Sequence, residues 1–85
     1  MQTERGGWGR WSMVNELDVK GLECPLPLLK AKLALNRMAP GEQLRVWATD
    51  GGSVRDFRVF CEQSGHLLLE SSERDGVYGY LLQKS

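Results

Sequence analysis

The stretch GLECPLPLLKAKLALNRMAPG, residues 21–41, decides the fold. It places Cys24 before two prolines, Pro25 and Pro27, at the head of a mainly apolar run. Proline is well tolerated in the first turn of a helix, and it pushes the residue before it into an extended conformation. We therefore predict a helix over Pro25–Met38 with Cys24 as its N-cap, stopped by the Ala-Pro-Gly sequence that follows.

Cys24 is predicted to carry a reactive sulfur. At an N-cap its side chain would lie among unpaired backbone donors and at the positive end of the helix dipole, which favour a thiolate over a thiol. Pro25, Leu26 and Pro27 form the helix terminus that would support this anion. The Cys24 pKa is therefore expected to lie below the ordinary value of about 8.5. On composition alone, an inert helix-capping cysteine is the rival interpretation.

The predicted helix carries two apolar stripes. The stripe with core-facing spacing contains Leu28, Ala31, Leu35 and Met38. The second stripe, named the leucine ridge here, begins beside the cysteine, points away from the core and contains Leu26, Leu29 and Leu33. An exposed apolar ridge is a reasonable docking surface for a partner. Lys30 and Lys32 would either add positive potential near the sulfur or form a solvated face.

Four strands and a second helix follow from the remaining pattern. Alternating apolar and polar residues predict strands over Val14–Val19, Leu44–Ala48, His66–Glu70 and Val77–Lys84. Ser53, with Asp56 three residues on, resembles a capping box. This predicts a second helix from Val54 to Ser64, ended by the glycine that follows.

The order β-α-β-α-β-β predicts a two-layer α/β sandwich. Asp75 and Gly76, between the last two strands, are a hairpin signal. Right-handed crossovers would place both helices on one face of a four-stranded mixed sheet. The opposite face, which carries Trp47 and Leu81, is expected to stay open.

Length and charge limit the classes of function. The chain has 85 residues, enough for one small domain without a separate cofactor domain, so no cofactor is expected. Eleven basic and eleven acidic residues cancel, and we expect neither nucleic acid nor a membrane as a direct ligand. Residues 1–13 hold no apolar stretch typical of a signal peptide, so we expect the protein in the cytoplasm. We also expect a monomer.

Residues 1–13 are predicted to be a flexible tail before a domain over residues 14–85. The tail is rich in glycine and arginine and has no periodicity. Trp8 and Trp11 are unusual in such a segment. The alternative is that they fold back onto an apolar patch of the domain.

The cysteine pattern argues against a disulfide, a zinc site or a dithiol oxidoreductase. Cys24 and Cys61 are far apart and form no Cys-x-x-Cys or Cys/His metal spacing, so no metal is expected. Cys61 is predicted to be a small buried hydrophobe. His66 is predicted to be a packing or hydrogen-bonding residue, and Asp50 and Asp56 are assigned turn or capping roles by default.

The chain closely resembles the TusA/SirA-like sulfur carriers over residues 14–85. The matching residues are Leu17-Asp18, Gly21-Leu22, Cys24-Pro25, Pro27, Pro40-Gly41-Glu42, Asp50, Asp56, Phe60-Cys61 and Gly65-His66. A Cys-Pro-x-Pro sequence at a helix start is a specific signal, far better than a lone cysteine. The departure is Gly51-Gly52, where the family commonly has proline after the aspartate.

The resemblance implies that Cys24 accepts sulfane sulfur as a persulfide and passes it on. The implied partners are a cysteine desulfurase or rhodanese-like donor and a downstream acceptor protein. The implied pathways include thio-modification of tRNA uridine, molybdenum cofactor synthesis and sulfur oxidation. The match also suggests that Asp50 lies near the cysteine face and could contact a partner.

Two classes of function remain open on the sequence. The first is a sulfurtransferase-type carrier rather than a free-standing enzyme, and a persulfide relay needs an exposed nucleophilic sulfur without a neighbouring thiol. Cys24 meets these needs as far as sequence can show. The second is a non-catalytic regulatory module that docks through its first helix.

Overall fold

Six elements form in the predicted order. The structure, a computed structural model, describes residues 14–85. The strands are β1 (Val14–Val19), β2 (Gln43–Ala48), β3 (Leu67–Arg74) and β4 (Val77–Gln83), and the helices are α1 (Leu26–Asn36) and α2 (Ser53–Ser64). The predicted tail over residues 1–13, with the alternative placement of Trp8 and Trp11, lies outside the described residues.

The sheet is mixed, with the strand order β1-β2-β4-β3. β1 and β2 are parallel and are connected through α1, whereas β4 is antiparallel to both of its neighbours. Asp75 and Gly76 join β3 to β4 with φ values of 53° and 82°. A two-residue hairpin of this kind requires positive φ at both positions, so the Asp-Gly prediction is confirmed.

Both helices cover one face of the sheet, as predicted. Ala31 and Leu35 of α1 and Phe57 and Cys61 of α2 belong to the same buried cluster as the inward side chains of the sheet. The Phe57 ring stacks on Tyr80 of β4, with 4.6 Å between the ring centroids. Apolar burial of this kind is the main favourable contribution to folding, and it anchors both helices to the sheet.

The opposite face carries Trp47, whose ring lies against Gly79 of β4. A Cβ atom at Gly79 would come within 2.8 Å of the Trp47 ring, so the close approach requires glycine. Leu81 lies on this face too, yet it is only 8% exposed, which corrects the prediction that it stays open. Arg45 and Glu70 flank Leu81 in register on the two neighbouring strands, and their 2.9 Å ion pair passes over it.

Several element boundaries differ from the predictions. α1 begins one residue later than predicted and ends at Asn36, where the last turn tightens through backbone bonds from Arg37 and Met38. Strand β3 begins at Leu67 and continues to Arg74. Because β3 is an edge strand with exposed polar residues, hydrophobic alternation does not mark its second half.

Candidate functional site

Cys24 lies exposed in the turn that leads into α1, and it does not cap the helix. Pro25 is the N-cap and makes no side-chain capping bond. Backbone carbonyls accept the first N–H groups of the helix instead. The Leu26 N–H donates to Glu23 O at 2.8 Å, and the Leu29 N–H donates to Pro25 O at 3.0 Å. The prediction of Cys24 as N-cap is therefore wrong, because the backbone closes this turn without the sulfur.

The closest polar partner of Cys24 comes from the other helix. Its Sγ donates a hydrogen bond to Oδ2 of Asp56 at 2.7 Å. Asp56 lies in the first turn of α2, where the sequence predicts a turn or capping role for it. That assignment is wrong, because the N-cap of α2 is Gly52, and the Ser53 hydroxyl instead donates to Asp50 O at 2.7 Å. The Asp56 carboxylate is therefore available to the cysteine.

The surroundings of Cys24 raise the pKa of its thiol above the ordinary value. The hydrogen bond to Asp56 is the largest cause, followed by partial desolvation and by the negative charges of Asp56 and Asp50. A carboxylate that accepts the thiol proton stabilises the neutral form, and a nearby negative charge disfavours the thiolate. The expectation of a lowered pKa is therefore wrong, because a contact from α2 takes the place of the assumed helix cap.

Asp50 lies beside the cysteine, as the resemblance suggested. Within residues 14–85, its Oδ2 atom is buried and has no hydrogen-bond partner. A Cβ atom at Gly52 would lie 3.1 Å from this oxygen and 3.7 Å from the Cys24 Cβ atom. Glycine at position 52 therefore leaves room for the Asp50 carboxylate, and it lies in ordinary contact range of the cysteine turn.

The leucine ridge is exposed next to the cysteine. Its members, which point away from the buried stripe of α1, are Leu26 at 45%, Leu29 at 45% and Leu33 at 59% exposure. Ala31 and Leu35, on the other side of the same helix, are fully buried. The predicted helix phase is therefore confirmed, and a contiguous apolar surface begins beside Cys24.

The two lysines of α1 are exposed side chains. The charges that raise the Cys24 pKa are those of Asp56 and Asp50. The Lys32 ammonium lies over the Phe60 ring of α2, 5.4 Å from its centroid. The contact of Lys30 and Lys32 with a partner stays a prediction.

An open groove of about 270 Å³ separates the outer surfaces of the two helices. Asp56 forms part of its wall, together with Lys32 and Arg55. The carboxylate that accepts the bond from Cys24 therefore also faces a surface that carries two cationic side chains. No group of three His, Cys, Asp or Glu side chains in residues 14–85 could hold a metal ion.

Cys61 and His66 have structural roles. Cys61 is 6% exposed among core residues, as predicted, and burial raises the pKa of its thiol. The His66 Nδ1 atom accepts a bond from the Ser85 N–H at 3.0 Å, and its ring packs on Phe60. Burial and the Lys84 charge lower the pKa of His66, in keeping with a packing and hydrogen-bonding role.

Similar proteins place this arrangement in a known family. The sequence model of the family described as Sulfurtransferase TusA matches residues 15–84. A protein of Neisseria meningitidis serogroup A is 57% identical over 67 residues, which cover 79% of this chain and 90% of that protein. The sulfur carrier protein TusA of Allochromatium vinosum is 53% identical over 70 residues, which cover 82% and 92%.

A solved structure has the same fold. The SirA-like protein of Desulfitobacterium hafniense superposes with a TM-score of 0.73 at 26% identity, over 82% of this chain and 95% of that protein. Within the described residues, no helix is long and apolar enough to cross a membrane. By sequence and fold, the chain belongs to the TusA family of sulfur carriers.

Proposed function

We propose that Cys24 is the residue on which this sulfur carrier holds its cargo, as a persulfide. The observation that carries the proposal is the position of Cys24, exposed beside the leucine ridge at the start of α1. A protein donor must bring its own sulfur to the Cys24 Sγ atom, and this requires an accessible cysteine on a surface that can be covered. The position of Cys24 meets both conditions.

Loading is a transfer of one sulfur atom between two cysteines, and it needs no external oxidant. The Cys24 thiolate attacks the outer sulfur of the donor persulfide, and a new Sγ–S bond forms. The donor S–S bond breaks, its electron pair stays on the donor cysteine, and the proton lost by Cys24 returns to that leaving thiolate. The products are a donor thiol and a Cys24 persulfide.

The position of the second cysteine supports a carrier over a dithiol oxidoreductase. Cys61 is buried in the core on the inner side of α2, whereas Cys24 is at the surface. A nearby thiol would attack the persulfide and discharge it as an internal disulfide. Burial of Cys61 keeps it from this reaction while the domain is folded.

We further propose a cysteine desulfurase or rhodanese-like protein as donor and a cysteine-bearing protein as acceptor, in the cytoplasm, with the carrier monomeric. The leucine ridge with Lys30, Lys32 and Asp50 is the proposed contact surface. Apolar side chains beside the nucleophile exclude water around two approaching sulfur atoms without strict directional demands. We take thio-modification of tRNA uridine as the first pathway to test, because its product is a modified nucleoside that mass spectrometry detects directly.

A non-catalytic interaction module is the second candidate. The raised pKa of the Cys24 thiol favours it, since a protonated sulfur is a poor nucleophile. In this alternative the leucine ridge binds a partner and the cysteine carries no cargo.

Mass spectrometry separates the two candidates. The protein is incubated with a cysteine desulfurase and free cysteine, and a mass gain of about 32 Da, one sulfur atom, is expected on the Cys24 peptide. Cys24→Ser is the control and should stay unmodified. A wild-type protein that binds the desulfurase but gains no mass would contradict the carrier proposal and favour the module.

A further inference from the structure

Asp56 is the one side chain that forms a hydrogen bond with Cys24 among residues 14–85, and the resemblance gave it no role beyond a match. It belongs to α2, whereas the cysteine precedes α1, so the contact joins two elements 32 residues apart. The carboxylate is half-buried, and the sulfur is exposed. The pair therefore lies at the surface, where a bound partner could reach it.

We propose that Asp56 is a positioning residue that holds Cys24 as a neutral, weakly reactive thiol in the unpartnered protein. Sulfur acceptance then depends on a partner that supplies a hydrogen-bond donor to the Asp56 carboxylate. The inference rests on the proposed carrier function and adds a control on when the sulfur can react.

The charges around the sulfur fit this role. Asp56 approaches from α2 and Asp50 from the loop after β2, and both disfavour a negative sulfur. Two cations, Lys32 of α1 and Arg55 of α2, line the same groove as Asp56. The charges that raise the Cys24 pKa are both negative.

The same contact distinguishes the empty carrier from the loaded one. The Cys24 Sγ atom can donate to Asp56 only while it carries a proton. After the new Sγ–S bond forms, that atom has no proton, and the hydrogen bond is lost. Because a persulfide is a stronger acid than a thiol, its outer sulfur ionises, and Asp56 and Asp50 repel it. The cargo is therefore turned away from α2 and towards the acceptor.

The contact also opposes the return of sulfur to an emptied carrier. When an acceptor takes the outer sulfur, Cys24 leaves as a thiolate beside two carboxylates. A thiolate in that position takes up a proton readily and then forms the bond to Asp56 again. The protonated sulfur attacks the product slowly, so the empty carrier does not reclaim its cargo.

Substitution of Asp56 by asparagine tests the inference without any sulfur donor. Asp56→Asn keeps the side-chain shape, removes the charge and adds an amide donor that stabilises the thiolate. Iodoacetamide alkylation at Cys24, followed by peptide mass spectrometry, should become at least about threefold faster at pH 7, and its pH profile should move to lower pH. Glu62→Gln, a charge removal at an exposed position further along α2, is the matched control and should change neither.

Asp56→Ser is a second variant in case asparagine disturbs the helix start, and the same change is expected for it. An alkylation rate and pH profile equal to those of the wild type in a folded Asp56 variant would overturn the inference. Failure of the carrier proposal is seen separately, as absence of a persulfide on the wild-type protein. Faster loading of Asp56→Asn by a small-molecule persulfide would further support the inference.

Discussion

Cys24 and Cys61 are two cysteines of one small domain in opposite surroundings. Both thiols have raised pKa values, but burial is the cause for Cys61, whereas a hydrogen bond to Asp56 is the first cause for Cys24. A buried thiol is kept inert by the whole core, and only unfolding or a large opening releases it. A thiol held by one carboxylate at the surface can be released by one new contact. Only the second arrangement suits a cysteine that must react on demand.

The largest expected effect is the loss of sulfur acceptance when Cys24 is replaced. Cys24→Ser should abolish sulfur acceptance completely, because serine offers no sulfur to form the persulfide. Its hydroxyl can donate to Asp56 as the thiol does, so the free energy of unfolding should change by no more than about 1 kcal/mol. Persulfide detection after desulfurase treatment and chemical denaturation measure the two quantities. Sulfur loading of this variant would contradict the assignment of Cys24.

The second prediction compares the two thiols in the native protein. Iodoacetamide should alkylate Cys24 at least about a hundredfold faster than Cys61, because Cys61 reacts only through opening of the core. The Cys24 rate should rise with pH through and beyond the ordinary thiol range, because the fraction of thiolate grows up to a raised pKa. Peptide mass spectrometry over a pH series gives both rates. A Cys24 rate that levels off near neutral pH would show a lowered pKa.

The third prediction concerns the surface around the reactive cysteine. Leu29→Glu or Leu33→Glu should slow persulfide transfer from the donor by at least about tenfold, or about 1.4 kcal/mol, without an appreciable change in melting temperature. Leu67→Glu is the matched control, since Leu67 is an equally exposed leucine on edge strand β3. Normal transfer by both ridge variants would place the docking surface elsewhere, around Asp50 and the Gly51-Gly52 loop.

The smallest expected effect is at the buried cysteine. Cys61→Ser should lower the free energy of unfolding by about 1 kcal/mol, because a hydroxyl in the core must find a partner in the backbone of its own helix. Sulfur acceptance should not change. Denaturant unfolding and persulfide loading of the same sample check the two statements. Loss of loading in a folded Cys61→Ser protein would show a relay role for this residue.

The sequence predicts features that depend on local pattern. The hairpin at Asp75 and Gly76, the buried and exposed sides of α1 and the order of elements follow from turn chemistry and periodicity. The proximity of Asp50 to Cys24 came from the resemblance and is confirmed. The hairpin, the helix sides and the order of elements need no knowledge of what packs against each element.

The state of the sulfur could not be predicted in this way. Ser53 and Asp56 have the spacing of a capping box, but the N-cap of α2 is Gly52, and Ser53 is the first helical residue. The Ser53 hydroxyl lies 2.7 Å from the Tyr80 hydroxyl, a partner on β4. The Ser53 hydroxyl is bonded to Tyr80 and to the Asp50 carbonyl, so it does not form a capping box with Asp56. The Asp56 carboxylate is bonded to the cysteine instead. The direction of the Cys24 pKa is thus set by tertiary contacts that no local motif contains.

The close fit of Trp47 on Gly79 restricts how β2 and β4 can align. Gly79 lies between two tyrosines, Tyr78 and Tyr80, so a slip of one residue between β2 and β4 would drive a tyrosine against the indole and reverse the faces of the strand. Only the observed alignment places glycine against the indole and keeps the faces of β4 as they are. The same two tyrosines reach the start of α2, through the Tyr80 contact with Ser53 and the Tyr78 hydroxyl beside Gly51. The alignment that fits the indole on one side of the sheet therefore also brings these tyrosines, on the other side, to the segment that carries Asp50 and Asp56.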